Sequence, residues 1–394
     1  MLNEFSDIRS PFAALRRQLG DTKPGGDPID MTVGSPRHQP PDFIADALSA
    51  NIDTVGSYPS ITGSQSLREA ISNWTNNRFD KLSKEVTPDN CLPLNGSREG
   101  LFYAIFVAKA RRPEISKPIV LMPNPFYQVY GAAAIAAGAI PHLLNTAQAN
   151  GFLPDLSSID PQIRENTIAL YLCNPSNPEG ATADLPYLKD TVQFARNHNL
   201  MLFSDECYSE IYRDKKPPSA LEAAINLSNG FENILAFNSL SKRSNVPGLR
   251  SGFVAGDQSF IAAFTQFRNV AGPQMPGPIQ HASSLLWREE SHVENNRDLY
   301  NKKFDLADLI LKGRYSYKKP SGGFFLWLNL SEFGGGIAAT TTLWKECGVK
   351  VLPGAYLAQS DDNGKNPGED YARAALVGSI DETKKALEKI VRVF

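Results

Sequence analysis

The sequence predicts an α/β protein: a mainly parallel sheet with helices on both faces, joined to a smaller α/β unit. Three observations lead there. Short apolar runs alternate with amphipathic stretches from about residue 64 to residue 256, which is the signature of β–α–β units. The runs are near-continuous, as strands buried on both faces must be. After about residue 276 the rhythm changes to a long helical stretch followed by shorter segments. At about 150 residues per domain, 394 residues make two or three domains.

The elements follow in chain order. The arm at 1–45 holds the turn signals KPGGDP (23–28) and GSPRHQPP (34–41), because proline fixes φ and pushes its predecessor out of the helical region. We expect it to pack with the small unit. The large unit is placed at 46–285. It opens with a helix over 64–79, where Leu67, Ile71 and Trp74 recur at helical spacing. A second helix (97–110) follows Asn95–Gly96, and a third (127–139) ends at a glycine. Strands are read at 119–122, 168–173, 200–206, 233–239 and 251–256. Between them lies a helix over 184–199 with Asp184 as its cap. The small unit, 286–394, carries most of a long helical stretch (277–311), strands at 322–330, 349–353 and 371–378, and a last helix at 381–394.

Composition excludes several classes. Hydrophobic residues are 42% and charged residues 21%, so the chain is not a disordered one. Lys plus Arg total 40 against 42 Asp plus Glu, a net charge of −2, which leaves no field for nucleic acid or an anionic membrane. The longest apolar stretch, 131–140, is too short to span a bilayer. The opening residues lack the apolar core of a secretion signal, so a cytoplasmic protein is expected. Cys91, Cys173, Cys207 and Cys347 show no metal or redox spacing and read as reduced thiols. The five histidines include no pair at metal-ligand spacing, and no metal is expected. Neither GxxxxGK[ST] nor a GxGxxG after a strand occurs.

In sheets of this kind ligands sit outside the carboxyl ends of the strands. The polar residues there are Asn95–Ser97, NPSNPEG (174–180), DECYSE (205–210) and NSLSKRSNVPGLRSG (238–252). Gly96 and Ser97 open a helix, whose free N–H groups and dipole suit a phosphate. Ser239, Ser241 and Arg250 can add hydroxyl and guanidinium donors. Lys242 lies among them. Asp205 ends a strand, where a buried carboxylate needs a cation or donors.

This set resembles the pyridoxal-phosphate aminotransferases of fold type I, class I/II. The segments that carry the resemblance are VGSP (33–36), YPSITG (58–63), NGSREG (95–100), NPFYQVY (124–130), NPSNPEG, DECY (205–208), SLSK (239–242), GLRSG (248–252) and YARAAL (371–376). They run in order over essentially the whole chain. Segments 92–102, 123–133, 204–212, 239–257 and 351–358 are most similar to the bacterial N-succinyldiaminopimelate aminotransferases of lysine biosynthesis.

The resemblance implies a seven-stranded large-domain sheet and a role for each site residue. Lys242 binds the aldehyde of pyridoxal 5'-phosphate and acts as acid–base catalyst. Asp205 pairs with the pyridine nitrogen. Tyr208 and Asn177 bond the phenolic oxygen, and Tyr127, beside Phe126, stacks on the ring. Gly96, Ser97, Arg98, Ser239, Ser241 and Arg250 hold the phosphate. Arg373, helped by Asn177 and Gly34, clamps the substrate α-carboxylate. Tyr58 reaches the partner's site in a homodimer. The substrates implied are glutamate and 2-oxoglutarate with N-succinyl-diaminopimelate and its oxo acid. Other amino acid transaminases, or a carbon–sulfur lyase, would use the same residues. A regulator with an aminotransferase-like domain is disfavoured, since the match begins too early to leave room for a DNA-binding domain. Arg37, Arg243 and Arg268 are candidates for a second substrate carboxylate, and His38 for a substrate contact. Two departures stand out: Glu179 occupies the place of the family's usual threonine, and Gln274–Met275 is an unusual pair in a pocket-shaping region.

Overall fold

The computed structural model describes residues 10–79, 81–361 and 364–394. Its strands are β1 (Ile29–Asp30), β2 (Cys91–Leu94), β3 (Ile119–Asn124), β4 (Ile140–Asn145), β5 (Thr167–Cys173), β6 (Met201–Asp205), β7 (Ile234–Ser239), β8 (Gly252–Gly256), β9 (Phe325–Asn329), β10 (Val349–Lys350), β11 (Leu352–Pro353) and β12 (Tyr371–Ala375).

Seven of them form one sheet in the order β2-β8-β7-β6-β5-β3-β4. β8 is antiparallel to β2 and β7, and the remaining neighbours run parallel. Alternate side chains feed two cores, as the two-residue period of a strand requires. Leu121, Leu170, Leu172 and Leu202 face one side with Trp74 and Trp287. Val120, Met122, Tyr171 and Phe203 face the other with Leu101 and Ile105. Every residue of β5 is buried, which is why it reads as an unbroken apolar run.

Parallel strands share an edge for their carboxyl ends. Asp205 and Ser239 lie there, and Asn174 follows directly after β5. The reversed β8 contributes its amino end instead. Gly252 aligns with both Leu94 and Ser239, so Arg250 arrives at the same edge.

A third core joins the two ends of the chain. Ile29 and Met31 pack with Phe304, Leu326, Val349 and Leu387, and β1 pairs in parallel with β10. A three-stranded antiparallel sheet, β11-β12-β9, lies in the same region. Among the described residues no helix is long and apolar enough to cross a membrane.

Four readings are corrected. Strands β2 and β4 were not expected; Pro93 and Pro141 obscure them, yet each is an edge strand of its sheet, where a missing N–H is tolerated. The stretch 277–311 is two helices, Gly277–Arg288 and Ser291–Leu311. Glu289 leaves the first in an extended conformation, and its carboxylate accepts the amides of Ser291 (2.7 Å) and His292 (3.2 Å). Residues 349–353 are two strands, because β10 pairs with the arm and β11 with β12.

Glu179 has a thermodynamic consequence. Its carboxyl is buried, accepts from Thr146 Oγ1 (2.8 Å), and is pushed up to about 7 by desolvation. The unfolded chain ionises this group near 4.5. The folded state is therefore penalised as pH rises above that value, and fully so above about 7. Glu179→Gln is expected to raise Tm at about pH 8 and leave it nearly unchanged near pH 4.5. Calorimetry at both pH values tests this; an equal shift at both would contradict it.

Candidate active site

The carboxyl edge of the large sheet opens into a cavity of about 310 Å³. Its lining includes Gly34, Ser97, Arg98, Tyr127, Asn177, Asp205, Tyr208, Ser239, Ser241, Lys242, Arg250 and Arg373. Residues separated by more than 300 positions thus meet in one place.

Asp205 ends β6 and is 3% exposed. Tyr130 Oη donates to its Oδ2 (2.8 Å), and the Cys207 amide to its Oδ1 (3.3 Å). Burial raises its pKa against these donors. Among the described residues no salt bridge is formed to Asp205, so it suits a ligand cation such as a protonated ring nitrogen.

Lys242 follows β7 on a short helical turn, Leu240–Arg243. Its amine donates to the Gly34 carbonyl. Burial is the main cause that lowers its pKa to about 8; Cys207 opposes the shift, while Arg373, Arg98 and Arg250 add to it. Gly34 must be glycine for this approach, since a Cβ there would sit 2.6 Å from the Phe325 ring.

Arg373 lies mid-strand in β12 and is 4% exposed. Nη1 donates to Asn177 Oδ1 (2.9 Å) and Nη2 to the Thr32 carbonyl (2.8 Å). Its Nε is buried without a partner. The guanidinium lies 4.3 Å from the Phe325 ring centroid, and burial lowers its pKa to about 10. A buried guanidinium held by neutral acceptors is matched to an incoming carboxylate.

The third part of the site seats an anion. The helix Ser97–Ala110 starts at Gly96 (φ 85°) with no side-chain cap, so its first N–H groups stay available. A Cβ at Gly96 would lie 2.3 Å from Arg250 Nη2. Arg250 itself adopts φ 52° and is held by the carbonyls of Pro247 (2.9 Å) and Asn95 (3.3 Å). Ser239 Oγ accepts the Ser241 amide (3.1 Å). Arg98 Nε bonds Tyr127 Oη, fixing that ring at the wall, with Phe126 also in the lining. Tyr208 is buried edge-on to Phe324 and Phe325. An uncapped helix start, a buried carboxylate, an aromatic wall and an amine of lowered pKa fit pyridoxal phosphate.

Other expected contacts lie elsewhere. Arg37 pairs with Glu382 (2.8 Å). Arg243 is buried between Trp74 and Trp287, with Glu290 and the Leu286 carbonyl as partners. Arg268 is buried against Glu99 (2.8 Å) and the Pro93 carbonyl. All three are engaged in the fold and none lines the cavity: Arg37 in an exposed ion pair, and Arg243 and Arg268 as buried guanidiniums that take the nearest carboxylate. His38 is held by Asn296, Lys303 and the Tyr300 ring. Met275 is core, and Gln274 uses its carbonyl on Asn95. Tyr58 is 96% exposed and outside the cavity of its own chain.

Among the lining or supporting residues that were missed, three lie around Asp205. Tyr130 lies three positions after Tyr127, on the same helix face, and that spacing could have found it. Cys207 follows Asp205 by two residues. Cys173 is placed by register alone, opposite Asp205.

Comparison with known proteins identifies the family. The pattern of the family described as Aminotransferase class I and II matches residues 26–390. The LL-diaminopimelate aminotransferase of Aquifex aeolicus is 30% identical, over 98% of each chain. A crystal structure of an aminotransferase from Neisseria meningitidis is 39% identical, covers 100% of both chains and superposes with a TM-score of 0.93. A probable N-succinyldiaminopimelate aminotransferase from Thermus thermophilus is 24% identical, with 99% and 100% coverage and a TM-score of 0.83, a likeness of fold. The chain belongs to the class I and II aminotransferases, enzymes that depend on pyridoxal 5'-phosphate.

Proposed function

We propose that this aminotransferase exchanges the amino group of glutamate with the 6-oxo group of N-succinyl-2-amino-6-oxopimelate, in a ping-pong cycle within diaminopimelate and lysine biosynthesis. The observation that carries an amino acid substrate is Arg373, a buried guanidinium bound only to neutral acceptors, in one cavity with the Lys242 amine. The succinylated acceptor rests on the closer resemblance of segments 92–102, 123–133, 204–212 and 239–257. A second reading takes unacylated LL-diaminopimelate, and the name of the Aquifex relative favours it.

In this reading Arg373 and Asn177 orient the substrate α-carboxylate. Ser97, Ser239, Ser241 and Arg250 hold the cofactor phosphate, with Gly96 and Arg98 at the helix start. Tyr127 packs on the ring, and Tyr208 and Asn177 bond its phenolic oxygen. Asp205 keeps a proton on the ring nitrogen, as a buried carboxylate without a cation of its own is suited to do. When bound, pyridoxal phosphate supplies the electron sink for the carbanion left when the α-proton departs. Lys242 Nζ takes that proton from the substrate Cα.

The functional units we propose are an arm to residue 45, a large unit (46–285) that seats the cofactor, and a small unit (286–394) that brings Arg373. We place the enzyme in the cytoplasm as a homodimer. Ile52, Val55 and Tyr58 are 56%, 64% and 96% exposed on one short segment, an apolar surface that suits a second copy. There Tyr58 would serve the neighbouring site.

Lys242→Ala is expected to abolish both half-reactions while pyridoxal phosphate still binds without a covalent link; retained turnover would refute the role of the lysine. With an amine pKa of about 8, the neutral form grows tenfold per unit below that value and levels off above it. Capture of pyridoxal phosphate by the apo chain should therefore accelerate up to about pH 8 and flatten beyond. Stopped-flow absorbance reads this, and a rate still climbing at about pH 10, the ordinary lysine range, counts against it. For the substrate, bleaching of the visible band is compared for glutamate, aspartate, N-succinyl-diaminopimelate, LL-diaminopimelate and N-acetylornithine. Half-saturation lowest for N-succinyl-diaminopimelate and glutamate supports the proposal, and preference for the unacylated acid supports the second reading.

A further inference from the structure

The cation for the distal end of the substrate is not among the three arginines singled out in the sequence, since each is engaged in the fold. A groove of about 470 Å³ lies between the helix Pro11–Leu19 and residues 355–359. It shares Pro11, Phe126, Gln128 and Leu357 with the active-site cavity, so the two spaces adjoin. Among the described residues its lining holds no carboxylate and one arginine, Arg17. Arg17 is exposed, and among the described residues its side chain forms no hydrogen bond or ion pair. Beside it, Gln18 spends its amide nitrogen on the Ile337 carbonyl and Thr341 Oγ1 (2.8 Å each). The Gln18 carbonyl oxygen is left buried without a donor.

We propose that Arg17 is a specificity-determining residue that binds the distal carboxylate of an N-acylated dicarboxylic amino acid lying across this groove. The proposal rests on the succinylated-acceptor reading. Arg373 takes the carboxylate next to the reacting carbon, and the chain of the longer acid leaves the cavity along Phe126 and Leu357. Its far carboxylate then meets the free guanidinium, which can take it with two parallel bonds. Glutamate has a carbon chain two atoms shorter and no acyl arm, so it depends on Arg17 far less. The sequence alone had no reason to single out this arginine, because Arg16 and Arg17 are equivalent until the helix is packed.

The test is steady-state kinetics of the holoenzyme with N-succinyl-diaminopimelate and with glutamate, for Arg17→Ala, Arg17→Lys and Arg16→Ala. Arg17→Ala should raise KM for N-succinyl-diaminopimelate at least tenfold more than KM for glutamate, with kcat changed far less. Arg17→Lys should recover part of the loss, as a charge without the planar fork. Arg16, on the same helix and outside the groove, should be neutral. Equal KM changes for both substrates, or none, overturn the subsite while leaving the function standing. Failure of the unsubstituted enzyme to turn over N-succinyl-diaminopimelate brings down the functional reading and the subsite together.

Discussion

More positive charge gathered in one cavity than Asp205, the single carboxylate of its lining among the described residues, can neutralise is the constraint on which the site depends. Lys242, Arg98, Arg250 and Arg373 line the same space, and the three arginines depress the lysine. Asp205 is the buried carboxylate facing them, and it is satisfied by a tyrosine and an amide. Desolvating Lys242 and Arg373 in this way costs stability that a packed core would not forgo. In the function we propose, anionic ligands offset that cost: a phosphate at the uncapped helix and a carboxylate at Arg373. On that proposal the cavity is organised around groups that arrive with the cofactor and the substrate.

The contrast with the other buried arginines makes the point. Arg78 is paired with Glu210, Arg243 with Glu290 and Arg268 with Glu99. These pairs tie helices to neighbouring elements and satisfy one another. Arg373 differs in having neutral partners, Asn177 from the large sheet region and the Thr32 carbonyl from the arm. A single side chain therefore bridges three parts of the chain, and its orientation depends on all of them. The depressed Lys242 amine, held by the carbonyl of Gly34, links the arm to the same chemistry.

Much of this was legible before any fold was seen. Strand and helix alternation located five of the seven large-sheet strands, since strands buried on both faces are apolar throughout. Asp184 was readable as a cap because a short acidic side chain before an apolar periodic run has one local use. Lys242, Asp205, Arg250 and Arg373 were legible because their segments keep order along the whole chain. Edge strands carrying proline were not, because their exposed edge relaxes the composition that marks a strand.

What the sequence by itself determined was local: helix starts, apolar strands, and the polar residues that follow them. Which arginine is free was decided only by tertiary structure. Arg37, Arg243 and Arg268 look no different in sequence from Arg17. Their partners Glu382, Glu290 and Glu99 lie 345, 47 and 169 positions away. Pairing of that kind depends on distance in space, and charge has no periodicity along the chain to announce it. The same holds for Cys173 beside Asp205, a neighbour set by strand register.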